Sequence, residues 1–477
     1  MGKPKLGAAF LAAILLTSFY VALTKSHVNA TPSSSVVPPE GSIVVPDDYA
    51  TINEAVDNAP EGGTVFVRSG NYSERIRVTK PLTLLGEDPQ NTVISISDLP
   101  FLVYGAIEVL AEDVTISGFT IKNTWIGIWT PVDYTIPPRS RCEIIGNNII
   151  DNFRSGISIG AGENNVVSGN NITGNGEVGI GLGSPNSVIS GNNITGNGYV
   201  GITVDSCNNV TISENSITGN GVDIDASSDF VGGLRLGWDG SFHVYGNNIT
   251  DNQGYGIEFA EGCYNSTVYQ NNIARNSIGV NLFNFGVYGT ASIGLGNIVY
   301  RNNIVDNLQQ AFVDQEWDLA EMFPEYSNGT DVVSWDNGKE GNYWSDYQTR
   351  YPNAKEKGSS GIGDTPYIID ENNTDHYPLM TPVTISSTPP PISEPSSDSL
   401  PTIAAFVAAV IIGLVVVFFV YRAHRKREAS NFGYLGNEKA INLLQLKRVI
   451  IFVSVVIHNE TPENSAALNH IQLCVPL

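Results

Sequence analysis

Two aspartates raise the question of chemistry first. In "GVDIDASSDF" (221–230), Asp223 and Asp225 stand two apart, and residues two apart on a β-strand face the same way. Glycoside hydrolysis needs two carboxyl groups roughly 5–9.5 Å apart, one acid and one base or nucleophile. Asp229, Arg235, Asp239 and His243 follow, in what reads as one long insertion. A solvated acidic loop accounts for the same residues, because acids are abundant along the chain. A second cluster is aromatic. "NTWIGIWTPVDYTIPP" (123–138), which also reads as an insertion, gathers Trp125, Trp129 and Tyr134. Flat ring faces stack on the apolar faces of sugars while polar neighbours fix orientation. Trp238 and "FNFGVY" (283–288) extend that set; rings closing loops against a wall are the alternative use. The aspartates are candidate catalytic residues, and Trp125, Trp129, Tyr134 and Trp238 candidate ligand-binding residues.

The elements that must position these groups are written in a repeat. "GNNITGN" occurs at 169–175 and again at 191–197, with relatives "GNNIIDN", "ENSITGN", "GNNITDN", "QNNIARN" and "RNNIVDN" on either side. Their isoleucines are Ile149, Ile172, Ile194, Ile217, Ile249, Ile273 and Ile304, so the steps are 23, 22, 23, 32, 24 and 31 residues. A fixed period in this range marks a repeat architecture, and the long steps read as repeats carrying insertions on one face. Within a period, apolar residues alternate in short β-branched runs bounded by Gly and Asn, which is the signature of strands. Three short strands per turn of about 22–24 residues predict an all-β, right-handed parallel β-helix. Asn152, Asn175, Asn197, Asn220, Asn252, Asn276 and Asn307 each follow the marker Ile by three. Asn tolerates the left-handed backbone of corners, and stacked amides can hydrogen-bond up the stack. They are predicted to form a structural ladder.

The termini suggest a secreted, tethered chain. Residues 1–30 read as a signal peptide, with Lys3 and Lys5 before an apolar run from Leu6 to Leu23; an uncleaved anchor is the alternative. Residues 31–41 form a leader, 42–382 the β-helix ectodomain (closing segment 336–382), and 383–400 a Pro/Ser-rich stalk. Residues 401–421 carry no charge and are long enough to span a bilayer as a helix. "RAHRKR" (422–427) follows, which places 422–477 in the cytoplasm. Residues 31–400 hold 44 Asp and Glu against 15 Lys and Arg, a formal −29. That excess argues against nucleic acid and favours neutral glycans or cations, although solubility alone also accounts for it. Sequons at Asn71, Asn171, Asn193, Asn209, Asn248, Asn265, Asn328 and Asn372 are glycan acceptors where the host has the machinery. Cys142, Cys207, Cys263 and Cys474 are too widely spaced to imply disulfides or a metal pair.

Residues 42–86, "SIVVPDDYATINEAVDNAPEGGTVFVRSGNYSERIRVTKPLTLLGE", closely resemble the opening of pectin-lyase-like β-helix proteins. The resemblance implies an N-terminal capping helix, and Ile52, Ala55, Val56 and Ala59 have helical spacing. "GNYWSDY" (341–347) and "GIGDTPYIIDENNTDHYPLM" (361–380) look like the closing segment of NosD-like β-helix proteins, common on archaeal surfaces. The likeness covers about residues 42–382 and implies three functions: glycan recognition, polysaccharide cleavage, or delivery of copper. Copper needs imidazole or soft sulfur, and His243, His376, Met322, Met380 and the separated cysteines show no ligand spacing. Many relatives carry an acidic loop of calcium-binding look before "GIGDTPY"; here "YPNAKEKGSS" stands there, leaving Asp364, Asp370 and Glu371 as metal candidates. No cofactor is expected beyond calcium at that place. The expectation is a membrane-tethered cell-surface β-helix with its ectodomain outside, binding an extracellular glycan or acting as an envelope scaffold. The alternatives are a polysaccharide hydrolase or lyase and, second, a copper-delivery accessory.

Overall fold

The computed structural model describes residues 37–96, 105–131, 140–222, 231–237, 240–260, 262–283, 296–314 and 333–385. Residues 1–30, 401–421 and 422–477, expected to be a signal peptide, a transmembrane helix and a cytoplasmic tail, lie outside the described residues, as does the whole second unit, Pro391–Leu477. No helix among the described residues is long and apolar enough to cross a membrane.

Each coil contributes one strand to each of three parallel sheets. In one coil these are Glu143–Ile145 (sheet A), Asn148–Ile150 (sheet B) and Ser155–Ile159 (sheet C), after which Val166–Ser168 begins the next. Sheets A and B have 11 strands each and sheet C has 10. The marker isoleucines pair rung on rung at the centre of sheet B and are fully buried. Ile144, Val167 and Ile189 of sheet A face them, with Ile157, Ile180 and Ile202 of sheet C. A glycine opens most sheet C strands inside the corner: a Cβ on Gly179 would stand 2.5 Å from the Gly201 carbonyl and 3.0 Å from the Asn197 amide.

The amide ladder is present, and it is one of two. Asn175 donates through Nδ2 to the Ile149 carbonyl (3.2 Å) and to Asn197 Oδ1 (2.9 Å), while its backbone N–H donates to the same Oδ1 (3.0 Å). Asn197 repeats the pattern onto Asn220. The second ladder occupies the corner between sheets A and B and includes Asn147, Asn170, Asn192, Asn215 and Asn247. All but Asn215, which stands in "ENS", are the first asparagines of "GNN", so the doublet has two jobs: the first enters the ladder and the second faces outward from sheet B. The left-handed backbone does not fall on ladder residues. It falls one residue earlier, at Asp151, Asp251 and Gly196 for example, because a ladder asparagine must aim its amide inward.

Both ends are closed. The helix α1, Ile52–Asn58, is capped by Thr51 and buries Ile52, Ala55 and Val56 against the first coil. At the other end Asn302 hands its ladder to Asn342, whose N–H donates to Asp375 Oδ2 at 2.7 Å. Trp344 Nε1 donates to the same oxygen (2.8 Å) and Tyr377 N–H to Oδ1 (3.0 Å). Gly341 admits no Cβ, which would lie 1.8 Å from Asp375. Burial outweighs these donors and pushes the Asp375 carboxyl up to about 7.

Two outcomes follow from these contacts. Asn192→Ala and Asn197→Ala should each cost about 1–3 kcal/mol in denaturant melts, since each strands buried partners, whereas the outward Asn193→Ala should stay within about 0.5 kcal/mol. Asp375 holds its proton more tightly folded than unfolded, so its contribution is complete below about pH 4 and lost as pH rises through about 7. Asp375→Asn should therefore flatten the fall of unfolding free energy across that window; an unchanged slope would show that Asp375 does not titrate there.

Candidate functional site

The strands of sheet C point a varied residue outward between two core residues. The register aligns Glu108, Trp129, Ser158, Gly181, Thr203, Arg235, Glu258 and Asn281 in one row across adjacent strands. The row is polar at its ends and carries small residues in the middle. Ser158, Gly181 and Thr203, with Gly160 and Gly183 beside them, are partly exposed. A Cβ at Gly181 would meet nothing closer than 3.8 Å, so the floor has room. Four strand spacings separate Trp129 from Arg235, about 19 Å at roughly 4.8 Å each.

The far end is an ion cluster. Arg235 Nη1 pairs with Asp205 Oδ1 at 2.7 Å, and Arg235 Nε with Glu258 Oε2 at 3.2 Å. Thr203 Oγ1 donates to Asp205 Oδ2 (2.8 Å), and Asn281 Nδ2 to Glu258 Oε1 (3.0 Å). Glu258 is 1% exposed, and burial pushes its carboxyl up to about 7 despite Arg235. The same burial, with Glu258 alongside, raises the Tyr255 phenol; its ring sits over Gly232, where a Cβ would come within 2.4 Å. At the near end Glu108 is held between Arg75 (2.6 Å) and Arg77 (2.9 Å). One guanidinium bridges Asp205 and Glu258, so their nearest oxygens lie no more than about 8.5 Å apart, within the two-carboxylate window.

In the sequence the two longest steps, Ile217 to Ile249 and Ile273 to Ile304, each contain one sheet C strand, Gly232–Gly237 and Ile278–Phe283.

The sequence expectations fare unevenly. Asp223, Asp225, Tyr134 and Trp238 lie outside the described residues, as do Asp229 and Asp239. Trp129 does not sit in an insertion: Ile126–Thr130 is a regular sheet C strand. Trp125 lies at the corner just before it. Arg235 likewise belongs to the strand Gly232–Gly237, and His243 to a sheet A strand, facing outward. Asp364 accepts the Lys355 N–H (3.0 Å), and Asp370 accepts the N–H groups of Asn372 and Asn373 (2.7 Å each), so both close local turns. Glu371 is exposed. Among the described residues no three His, Cys, Asp or Glu gather to hold a metal, Asp364, Asp370 and Glu371 included. Cys142, Cys207 and Cys263 are buried; burial pushes the Cys142 thiol up to about 11 and the other two up to about 12. Asp205, Glu258 and Asn281 were missed. The signal for Glu258 and Asn281 is the residue after each Gly-apolar pair: "GISI", "GIGL", "GITV", "GLRL", "GIEF" and "GVNL" yield the row once stacked, and Asp205 follows the row's Thr203 by two.

The family described as right handed beta helix region matches residues 105–231 and 182–338, and with the parallel three-sheet topology the chain is a right-handed parallel β-helix. No curated protein matches the sequence. Similar solved structures include the tailspike protein 2 enzymatically active domain of bacteriophage CBA120. It is 13% identical with a TM-score of 0.41, covering 67% of this chain and 48% of that one. A Paenibacillus alginate lyase is 14% identical (TM-score 0.37; 55% and 92% covered). A pectate lyase is 12% identical (TM-score 0.42; 74% and 89% covered). This chain thus spans about half of the tailspike domain.

Proposed function

We propose that the outer face of sheet C is a glycan-binding trough, carried by a chain tethered at the cell surface with its β-helix outside. One observation carries the reading: a floor of small residues, Ser158–Gly181–Thr203, runs between an aromatic ring at Trp129 and hydrogen-bonding charged groups at Asp205 and Arg235. Sugars are bound by this combination of ring stacking and convergent polar groups. Pairing of Arg235 with two carboxylates leaves little net charge, which suits a neutral glycan. The tether rests on the apolar span 401–421 and its basic flank.

Cleavage of the bound polysaccharide is the second reading. Glu258, held near 7, has the proton affinity of a general acid, and Asp205 stands across one guanidinium as its partner. Against it, Glu258 is buried and both carboxylates are engaged by Arg235, so neither is presented to a substrate. A NosD-like kinship rests on the closing segment, and copper delivery has no observation among the described residues to carry it.

A glycan array with the full-length chain, repeated on variants, tests the trough. Gly181→Trp fills the floor without strain, and Trp129→Ala removes the ring; ring stacking is worth about 1–3 kcal/mol, so each should weaken binding at least tenfold. Asp205→Asn with Glu258→Gln should leave most of the affinity. Binding indifferent to Gly181→Trp would remove the trough, and release of reducing or unsaturated sugar ends, abolished in the double variant, would make the chain an enzyme.

A further inference from the structure

The outer face of sheet B is built differently from the trough. Its leading row runs through Asn171, Asn193, Ser216, Asn248 and Asn272 in strict register, each followed two residues later by Thr, or Ala after Asn272. No charge interrupts these positions, although the chain carries a formal −23. Asn193 and Asn248 are exposed; glycines of positive φ (Gly169, Gly191, Gly174 and Gly196) border the coils of Asn171 and Asn193, while the ion pair of Asp251 and Arg275 (2.6 Å) borders those of Asn248 and Asn272.

Both ends of this row are occupied by the chain itself. At the N-terminal end Thr120 Oγ1 and Asn148 Nδ2 donate to the carbonyl of Pro89, the latter at 3.1 Å. At the C-terminal end Asn303 grips the backbone of Val383 with both amide atoms: Nδ2 donates to its carbonyl (2.9 Å) and Oδ1 accepts its N–H (2.8 Å). One of these segments contains Pro89, and in the other Pro382 precedes the gripped residue. The same side chains repeat on the coils between them, where Asn193 Nδ2 donates to Asn171 Oδ1 (2.8 Å) and Asn272 Nδ2 to Asn248 Oδ1 (2.7 Å), each NH2 group keeping a second hydrogen to donate.

Spacing narrows the occupant. Three residues of polyproline II advance about 9.3 Å and leave every carbonyl unbonded within the helix, while two coils advance about 9.6 Å. A carbonyl of such a segment therefore meets an amide on every second rung. The geometry points to sheet B as a docking surface for a proline-rich polypeptide segment in the polyproline II conformation, read through its backbone carbonyls. The site is separate from the trough and does not depend on its reading.

The probe is a synthetic peptide of sequence STPPPISEPSSDSLP, which this chain contains at 387–401, labelled and titrated against the full-length chain by fluorescence anisotropy. Saturable binding is expected, weakened at least tenfold by Asn193→Asp with Asn248→Asp, which replaces amide donors by acceptors on exposed positions. A peptide with every proline changed to glycine should bind at least tenfold more weakly, having lost its preorganised helix. Thermal melts of the variant check that it folds, and Asn193→Gln, which keeps the donor, should retain binding if folding is intact. The proposal is overturned by no saturable binding up to millimolar peptide, or by binding that the aspartate variant leaves unchanged. Equal affinity for the glycine peptide, self-association of the chain lost in the aspartate variant, or displacement of the peptide by an oligosaccharide in place of a second peptide would overturn it as well.

Discussion

Everything on the surface of this molecule depends on buried amides hydrogen-bonding from one coil to the next. A parallel solenoid has no local turn to set strand register; sliding a coil by one residue would exchange its core and solvent faces. The two asparagine ladders prevent that, since each Asn ties its side chain and its own N–H to the amide above. Misalignment by one residue would strand several buried polar atoms at once, each costing about 1–3 kcal/mol. Register on the inside then becomes register on the outside. Arg235 meets both Asp205 and Glu258 because their coils are locked by Asn197, Asn220 and Asn252, over the same corner.

A ladder must also end. Thr124 receives its first rung at one corner by donating to Asn152 (2.8 Å), and Gln310, bonded to Ser345, accepts from Asn307 at the last. The other corner finishes on Asp375, an acceptor with no donor to pass on. Placing a carboxyl there raises its proton affinity and gives the cap a pH dependence that the neutral rungs lack. Trp344 stacks on Tyr367 at 4.1 Å beneath it, closing the core that the last coil would otherwise expose.

Repetition made the fold legible. The "NIT"-type strands, the marker isoleucines and the Asn three residues on are identical often enough to fix coil length, the inward face of sheet B and one ladder. The other ladder was hidden in plain view, since the first Asn of "GNN" looks like the turn residue that the preceding Gly already supplies. The site was less legible for a related reason: its residues share a position and differ in identity. Ser158, Gly181, Thr203, Arg235 and Glu258 have no common chemistry, and only stacking their strands makes them neighbours. Trp129 was found by type and misplaced by context, because "TPVDYTIPP" after it obscured the strand it ends. Asp223 and Asp225 drew notice by their spacing, whereas Asp205 and Glu258, apart in sequence, are joined through one arginine.

The two outer faces divide the labour implied by the interior. Sheet C varies its outward residue from coil to coil, whereas sheet B repeats one amide over most of its central coils. Variation suits recognition of a defined oligosaccharide, and monotony suits a backbone. The most direct measurement is carbene footprinting of the full-length chain with and without an oligosaccharide that it binds, read residue by residue by mass spectrometry. Labelling should fall at Ser158, Thr203 and Asp205 and stay constant on the Asn193 and Asn248 face. Protection of sheet B or sheet A, with Ser158 and Thr203 unaffected, would contradict a glycan trough on sheet C.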